Sequence, residues 1–196
     1  MKRFAALFVL MALLFTSCSA GTYGDGGASN SLPDNVSLPD NVLPYAELPG
    51  DYSLEQAKQD GCVVHEDIDI TSGQEVWDAF IEKTSRGEPA FVRLASYFSE
   101  RHLLYVQDLA YDGEQYRLYS VEDGTEHIKE YKYLIRYLDI ANLEATYTEC
   151  ITYVLIDEDT YTYDELEWSR YSSDWNDRID YTTVYYKHTF KPQYQR

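Results

Sequence analysis

Positive charge is scarce in this sequence. Sixteen Lys and Arg face 34 Asp and Glu, a formal charge of −18 at pH 7. Phosphate backbones are held by clustered Lys and Arg, so the deficit argues against nucleic acid as a partner. It argues equally against adsorption to anionic lipid headgroups. High like charge favours a soluble monomer and leaves a cationic partner or divalent ions open. Long apolar runs are missing too. The longest spans Phe4 to Phe15, whereas a membrane-crossing helix needs about 20 residues. Catalytic signatures are absent. Ser96 and Ser99 lie in no Gly-x-Ser-x-Gly setting, His102, His127 and His188 are scattered, and no glycine-rich phosphate loop occurs. No cofactor and no metal site is expected.

What is present begins at the N-terminus. Lys2 and Arg3, the apolar run, and then Thr16, Ser17 and Cys18 make a secretory signal peptide. The residues Phe15-Thr16-Ser17-Cys18 resemble the lipobox of bacterial lipoproteins, with phenylalanine where leucine is usual. That resemblance implies cleavage before Cys18, acylation of its sulfur, and a lipid anchor on the extracytoplasmic face of the cell membrane. The rival reading is a plain secreted protein. Removing residues 1–17 takes away Lys2 and Arg3 and no acid, leaving 14 basic and 34 acidic residues, a charge of −20.

Residues 18–49 read as anchor cysteine plus tether. The segment is rich in Gly, Ser, Asn, Asp and Pro and contains the hexapeptide SLPDNV twice, at 31–36 and 37–42. Two short copies are too few for a solenoid. Such a composition buries too little surface to offset its ordering entropy, which predicts a disordered spacer with a mean reach of about 30 Å. Beyond Cys18, the cysteines are Cys62 and Cys150. Outside the cytoplasm they are either a disulfide pair or two separately buried thiols.

Residues 50–196 are enough for one domain. Twenty tyrosines lean it towards β structure, because tyrosine suits half-buried strands. Ser53 to Gln56, Ser72 to Glu75 and Thr162 to Glu165 read as capping boxes. They predict a short helix at 54–60, a main amphipathic helix from about 76 to Gly87, and a short helix to about Tyr171. Strands are expected at 62–65, 90–98, 103–111, 114–121, 126–138, 146–156 and 181–190, with Asp112-Gly113 and Asp123-Gly124 at reversals. The expected fold class is α+β: one main helix packed on an antiparallel β-meander, with short flanking helices.

The stretches "SLEQAKQDGCVV", "TSGQEVWDAFIEKTSRGEPAFVRLASYF", "LLYVQDLAYDGEQY" and "YKYLIRYL" resemble small exported lipoproteins of Gram-positive Firmicutes that have no assigned function. The likeness covers roughly 50–138. Its marks are structural, so it implies compartment and fold and lends no activity.

Candidate chemistry is thin. Cys62 and His65 are two potential metal ligands, but three positions apart on a strand they point to opposite faces. That leaves a buried cysteine and a surface histidine. The acids around Glu66, Asp67 and Asp69, and around Asp157, Glu158, Asp159, Asp164 and Glu165, match no calcium loop and suit solvated faces or caps. Tyr131, Tyr133 and Tyr137 fall on one face of a predicted strand, which offers either an aromatic binding surface or ordinary cross-strand packing. The functional expectation is a non-enzymatic, membrane-tethered domain that binds an extracytoplasmic protein, peptide or glycan. The alternative is a carboxylate-dependent hydrolase of the cell envelope.

Overall fold

The computed structural model describes residues 32–140 and 146–192. Cys18 and the run before it lie outside the described residues. In chain order the elements are α1 (Leu54–Gln59), β1 (Val63–Glu66), β2 (Asp69–Ser72), α2 (Gln74–Ser85), β3 (Ala90–Phe98), β4 (Leu103–Tyr111) and β5 (Tyr116–Glu122). They continue with β6 (Thr125–Tyr131), β7 (Tyr133–Ile140), β8 (Tyr147–Ile156), α3 (Tyr163–Ser169) and β9 (Tyr181–Phe190).

Local chemistry sets the helix ends. Ser53 accepts from the Gln56 amide while the Gln56 side chain accepts from the Ser53 N–H, and Thr162 and Glu165 repeat the arrangement at α3. The box expected at Ser72 does not form, because Ser72 ends β2 and Gly73 caps α2 through its backbone alone. Gly73 has φ of 76°, and a Cβ there would meet the Cys62 carbonyl oxygen at 2.3 Å. Only glycine fits that contact and that conformation.

The expected helix on one antiparallel meander is overturned. The protein is mostly β, with strand order β2-β1-β3-β4-β5-β6 in a six-stranded mixed sheet and β7-β8-β9 in a separate three-stranded sheet. Two local events cause this. β1 runs parallel to β3, with β2 and α2 in the crossover between them. The strand expected at 126–138 breaks at Lys132, whose N–H donates to the Asp157 carboxylate (3.1 Å) instead of to a ladder. β6 therefore ends in the first sheet and β7 starts the second.

The inner faces of the two sheets share one core. Leu94, Leu109 and Leu118 of the first sheet meet Leu155, Val184 and Tyr185 of the second, with Trp77 and Phe80 of α2 among them. Trp77 stacks on Tyr185 at 4.3 Å and 7° and meets the edge of Tyr153 at 5.2 Å. Such aromatic contacts add about 0.5–1.5 kcal/mol each beyond burial. Behind the second sheet, Leu166 of α3 packs on Val154 and Ile156. Behind the first, Ala57 of α1 packs with Cys62, Val64 and Ala95.

The segment expected to be a disordered spacer is, from residue 32 onward, a strap across the back of the first sheet. Each SLPDNV copy closes the same turn, Val36 N–H to Pro33 O (3.0 Å) and Val42 N–H to Pro39 O (2.9 Å). Each then uses its asparagine to hold the domain. Asn35 donates to the Asp112 carbonyl (2.6 Å) and Asn41 to the Asp60 carbonyl (3.1 Å). Val36 is buried, and the Tyr45 ring meets Tyr119 edge-on at 4.9 Å while its hydroxyl donates to the Val106 carbonyl. Composition undercounted these anchors: two turns, two amide donors and one tyrosine suffice to order the segment.

Under the strap lies a buried ion pair. Arg93 on β3 and Asp108, opposite it on β4, are 2% and 1% exposed and joined by two bonds of 2.6 and 2.8 Å. The remaining Arg93 nitrogen donates to the Leu43 carbonyl of the strap (2.9 Å). Burial pushes the Asp108 carboxyl up and the guanidinium opposes it. A buried pair needs its leftover hydrogen-bonding groups satisfied, and the strap supplies the acceptor.

Candidate functional site

The tyrosines expected on one face divide between the sheets. Tyr131 closes β6 and is buried in the central core, its hydroxyl 2.7 Å from Thr182 Oγ1. Tyr133 and Tyr137 lie on β7, on the outer face of the second sheet. Tyr133 is exposed, while Tyr137 is half-buried beside Tyr163 and donates to the Tyr161 carbonyl (2.9 Å). The break at Lys132 moved Tyr131 away from its two neighbours.

Cys62 and Cys150 are separate, buried thiols. Cys62 faces the back of the first sheet, and Cys150 sits on β8 at a position alternating with Val154 and Ile156, on the outer side of the second. The central core lies between the two faces, so the pair does not form the expected alternative of a disulfide. Burial raises both thiols above their ordinary range. His65, expected at the surface, is 2% exposed. Its Nε2 lies 3.1 Å from the Tyr186 carbonyl and its ring packs against Tyr185 and Tyr186. Burial lowers its pKa. Cys62 and His65 do point to opposite faces of their strand.

Several of the clustered acids have structural work. Asp67 accepts from the amide and hydroxyl of Ser99, Glu66 pairs with Lys58 at 2.6 Å, and Glu165 caps α3. Among the described residues no group of three or more His, Cys, Asp or Glu is placed to hold a metal ion.

The open surface lies elsewhere, along α3 and the loop behind it. Leu166 and Ser169 turn inward, which leaves Trp168 outside at 75% exposure, with Tyr171 at 79% and Trp175 at 77%. Trp77, in contrast, is 1% exposed. Trp168 stands on α3, and the loop that follows, carrying Tyr171 and Trp175, is stitched by short-range bonds. Arg178 donates twice to the Ser172 carbonyl (3.2 and 3.1 Å), and Asp174 accepts from the Asn176 amide to cap a 3₁₀ turn at Trp175–Asp177. Arg178 lies 3.9 Å over the Trp175 ring centroid, and Arg170 lies 4.9 Å over Tyr181, whose hydroxyl donates to Glu167 (3.0 Å). Next to the loop is an open depression of about 480 Å³, with Asp157, Glu158, Asp177, Asp180 and Arg178 around Ile156, Tyr161 and Ile179.

Sequence reasoning missed Trp168, Tyr171 and Trp175. A signal was available in their spacing against Leu166, since the short helix can bury Leu166 or Trp168 but not both. Searched against protein-family models, curated proteins and solved structures, the chain matches none.

Proposed function

We propose that this protein is a non-enzymatic binding domain, tethered at Cys18 to the extracytoplasmic face of a membrane, that engages its partner through Trp168, Tyr171 and Trp175. One observation carries the reading: three large rings more than 70% exposed, Trp168 on α3 and Tyr171 and Trp175 on the segment after it, which its own hydrogen bonds stitch between Ser172 and Arg178. Each such ring can bury about 150–250 Å² in a contact, and Trp, Tyr and Arg dominate interface hot spots.

The carboxylate-hydrolase alternative finds less support. A general acid needs a raised carboxyl that reaches substrate. Asp108, which burial raises, is locked on Arg93 and sealed under the strap.

The test is site-specific photocross-linking in the cells that make the protein, with the photoreactive residue at Trp168, at Trp175, or at Ile128 on the exposed strand β6 as control. Adducts at 168 and 175 that are absent at 128 support the reading. No adduct beyond the control would end it. Fractionation of wild type and Cys18→Ala tests the anchor: the variant should leave the membrane pellet.

A further inference from the structure

We infer that the partner recognised by the Trp168–Tyr171–Trp175 surface is a cationic polypeptide segment, whose Arg and Lys side chains stack on the rings and reach the carboxylates beside them. This rests on the reading above and names the class of its partner. Residues 157–180 hold nine Asp and Glu and two Arg, the densest acid in the domain's second half. Both arginines pair with aromatic rings of this region, one of them with an exposed ring of the surface itself. Arg178 lies on Trp175 and Arg170 on Tyr181, each within the roughly 6 Å at which a ring attracts a cation. The depression next to them has the same two-part character. Ile156, Tyr161 and Ile179 offer an apolar floor for an aliphatic stem, while Asp157, Glu158, Asp177 and Asp180 line it, four carboxylates against Arg178 in the lining and Lys129 paired with Asp180. Long basic side chains bury their stems and keep their heads at polar groups.

Charge narrows the choice further. A surface with this acid excess repels phosphate, nucleic acid and anionic lipid. A neutral glycan would use the rings but gains nothing from the acid excess. A basic segment gains from both, and the −18 charge of the whole chain speeds its encounter.

The experiment uses the purified full chain and three probes: a synthetic Arg-Gly repeat peptide, a Glu-Gly peptide of equal length, and an N-acetylglucosamine oligomer. Binding is read by calorimetry and by fluorescence of the exposed tryptophans. The Arg-Gly peptide should bind and the Glu-Gly peptide should not. The Trp168→Ala/Trp175→Ala double variant should weaken Arg-Gly binding by about tenfold or more. A second variant, Asp177→Lys/Asp180→Lys, should weaken it comparably. A thermal melt verifies the fold of both. Equal affinity of wild type and the ring variant would reduce the effect to diffuse charge attraction and overturn the inference. Oligosaccharide binding that depends on the same rings, with no peptide binding, would also overturn it, yet would leave the aromatic surface standing as the contact site. Loss of the cellular cross-links would remove the contact site itself.

Discussion

Two regions of this molecule use the same materials. Behind the first sheet, Arg93 lies between the rings of Tyr45 and Phe91, 5.8 and 6.0 Å from their centroids, with Asp108 as its counter-ion. Beyond the second sheet, Arg178 lies on Trp175 among aspartates. The first set is under the strap and the second is in water. The difference is what the rest of the chain places over each. Residues 32–49 bring a carbonyl, a tyrosine and two turns to the first set, and none of the described residues covers the second. An aromatic–arginine cluster with a cover is architecture. The same cluster without one is a surface available to another molecule.

The largest effect should come from the covered pair. Arg93→Ala or Asp108→Ala strands a buried charge, and chemical denaturation should show a loss of about 3–5 kcal/mol. Replacing both, as Arg93→Met with Asp108→Leu, should cost less than either single change. Next is the cover itself. Tyr45→Ala removes the ring from Tyr119 and the bond to Val106, and the same measurement should fall by about 2 kcal/mol.

A pH titration separates the strap from the core. His65 has a pKa below its unfolded 6.5 because it is buried, so folding favours the neutral ring. Its contribution is complete above pH 6.5 and is lost as pH falls through the lower folded value. Thermal melts should therefore decline as pH falls from about 6.5 towards that value, and the decline should be shallower in His65→Phe. Smaller again, Asn41→Ala loses one hydrogen bond to Asp60 and should cost about 1 kcal/mol. Smallest of all, Trp168→Ala and Trp175→Ala should change stability by no more than about 0.5 kcal/mol while abolishing cross-linking at that surface. A large loss of stability in either would erase the contrast between the two regions.

Much of the secondary structure was legible. β3, β4 and β9 lie at the bounds expected for them, and two of three capping boxes form as their spacing implies. The candidate site was not legible. Tyr131 and Tyr137 read as one face because period-2 alternation continues through Lys132, and nothing local reveals that Asp157, 25 positions away, takes the Lys132 amide. His65 reads as exposed because it lies on the strand face opposite a buried Cys62, whereas β9, about 120 positions later, lies over it. The repeat was visible as a repeat but not as a pair of clasps, since its partners Asp60 and Asp112 lie 19 and 77 positions from it.

The sequence by itself determined the elements: helix caps whose partners are three residues apart, the Asp-Gly reversals, the alternation within strands, and the net negative charge. These depend on interactions within a few residues and on composition. Only the tertiary structure decided how the strands divide into two sheets, that residues 32–49 close over Arg93, and that Trp77 is inside while Trp168 and Trp175 are outside. A tryptophan has the same affinity for a core at every position. Which one reaches it depends on contacts between residues far apart in the chain, and those exist only once the sheets have assembled.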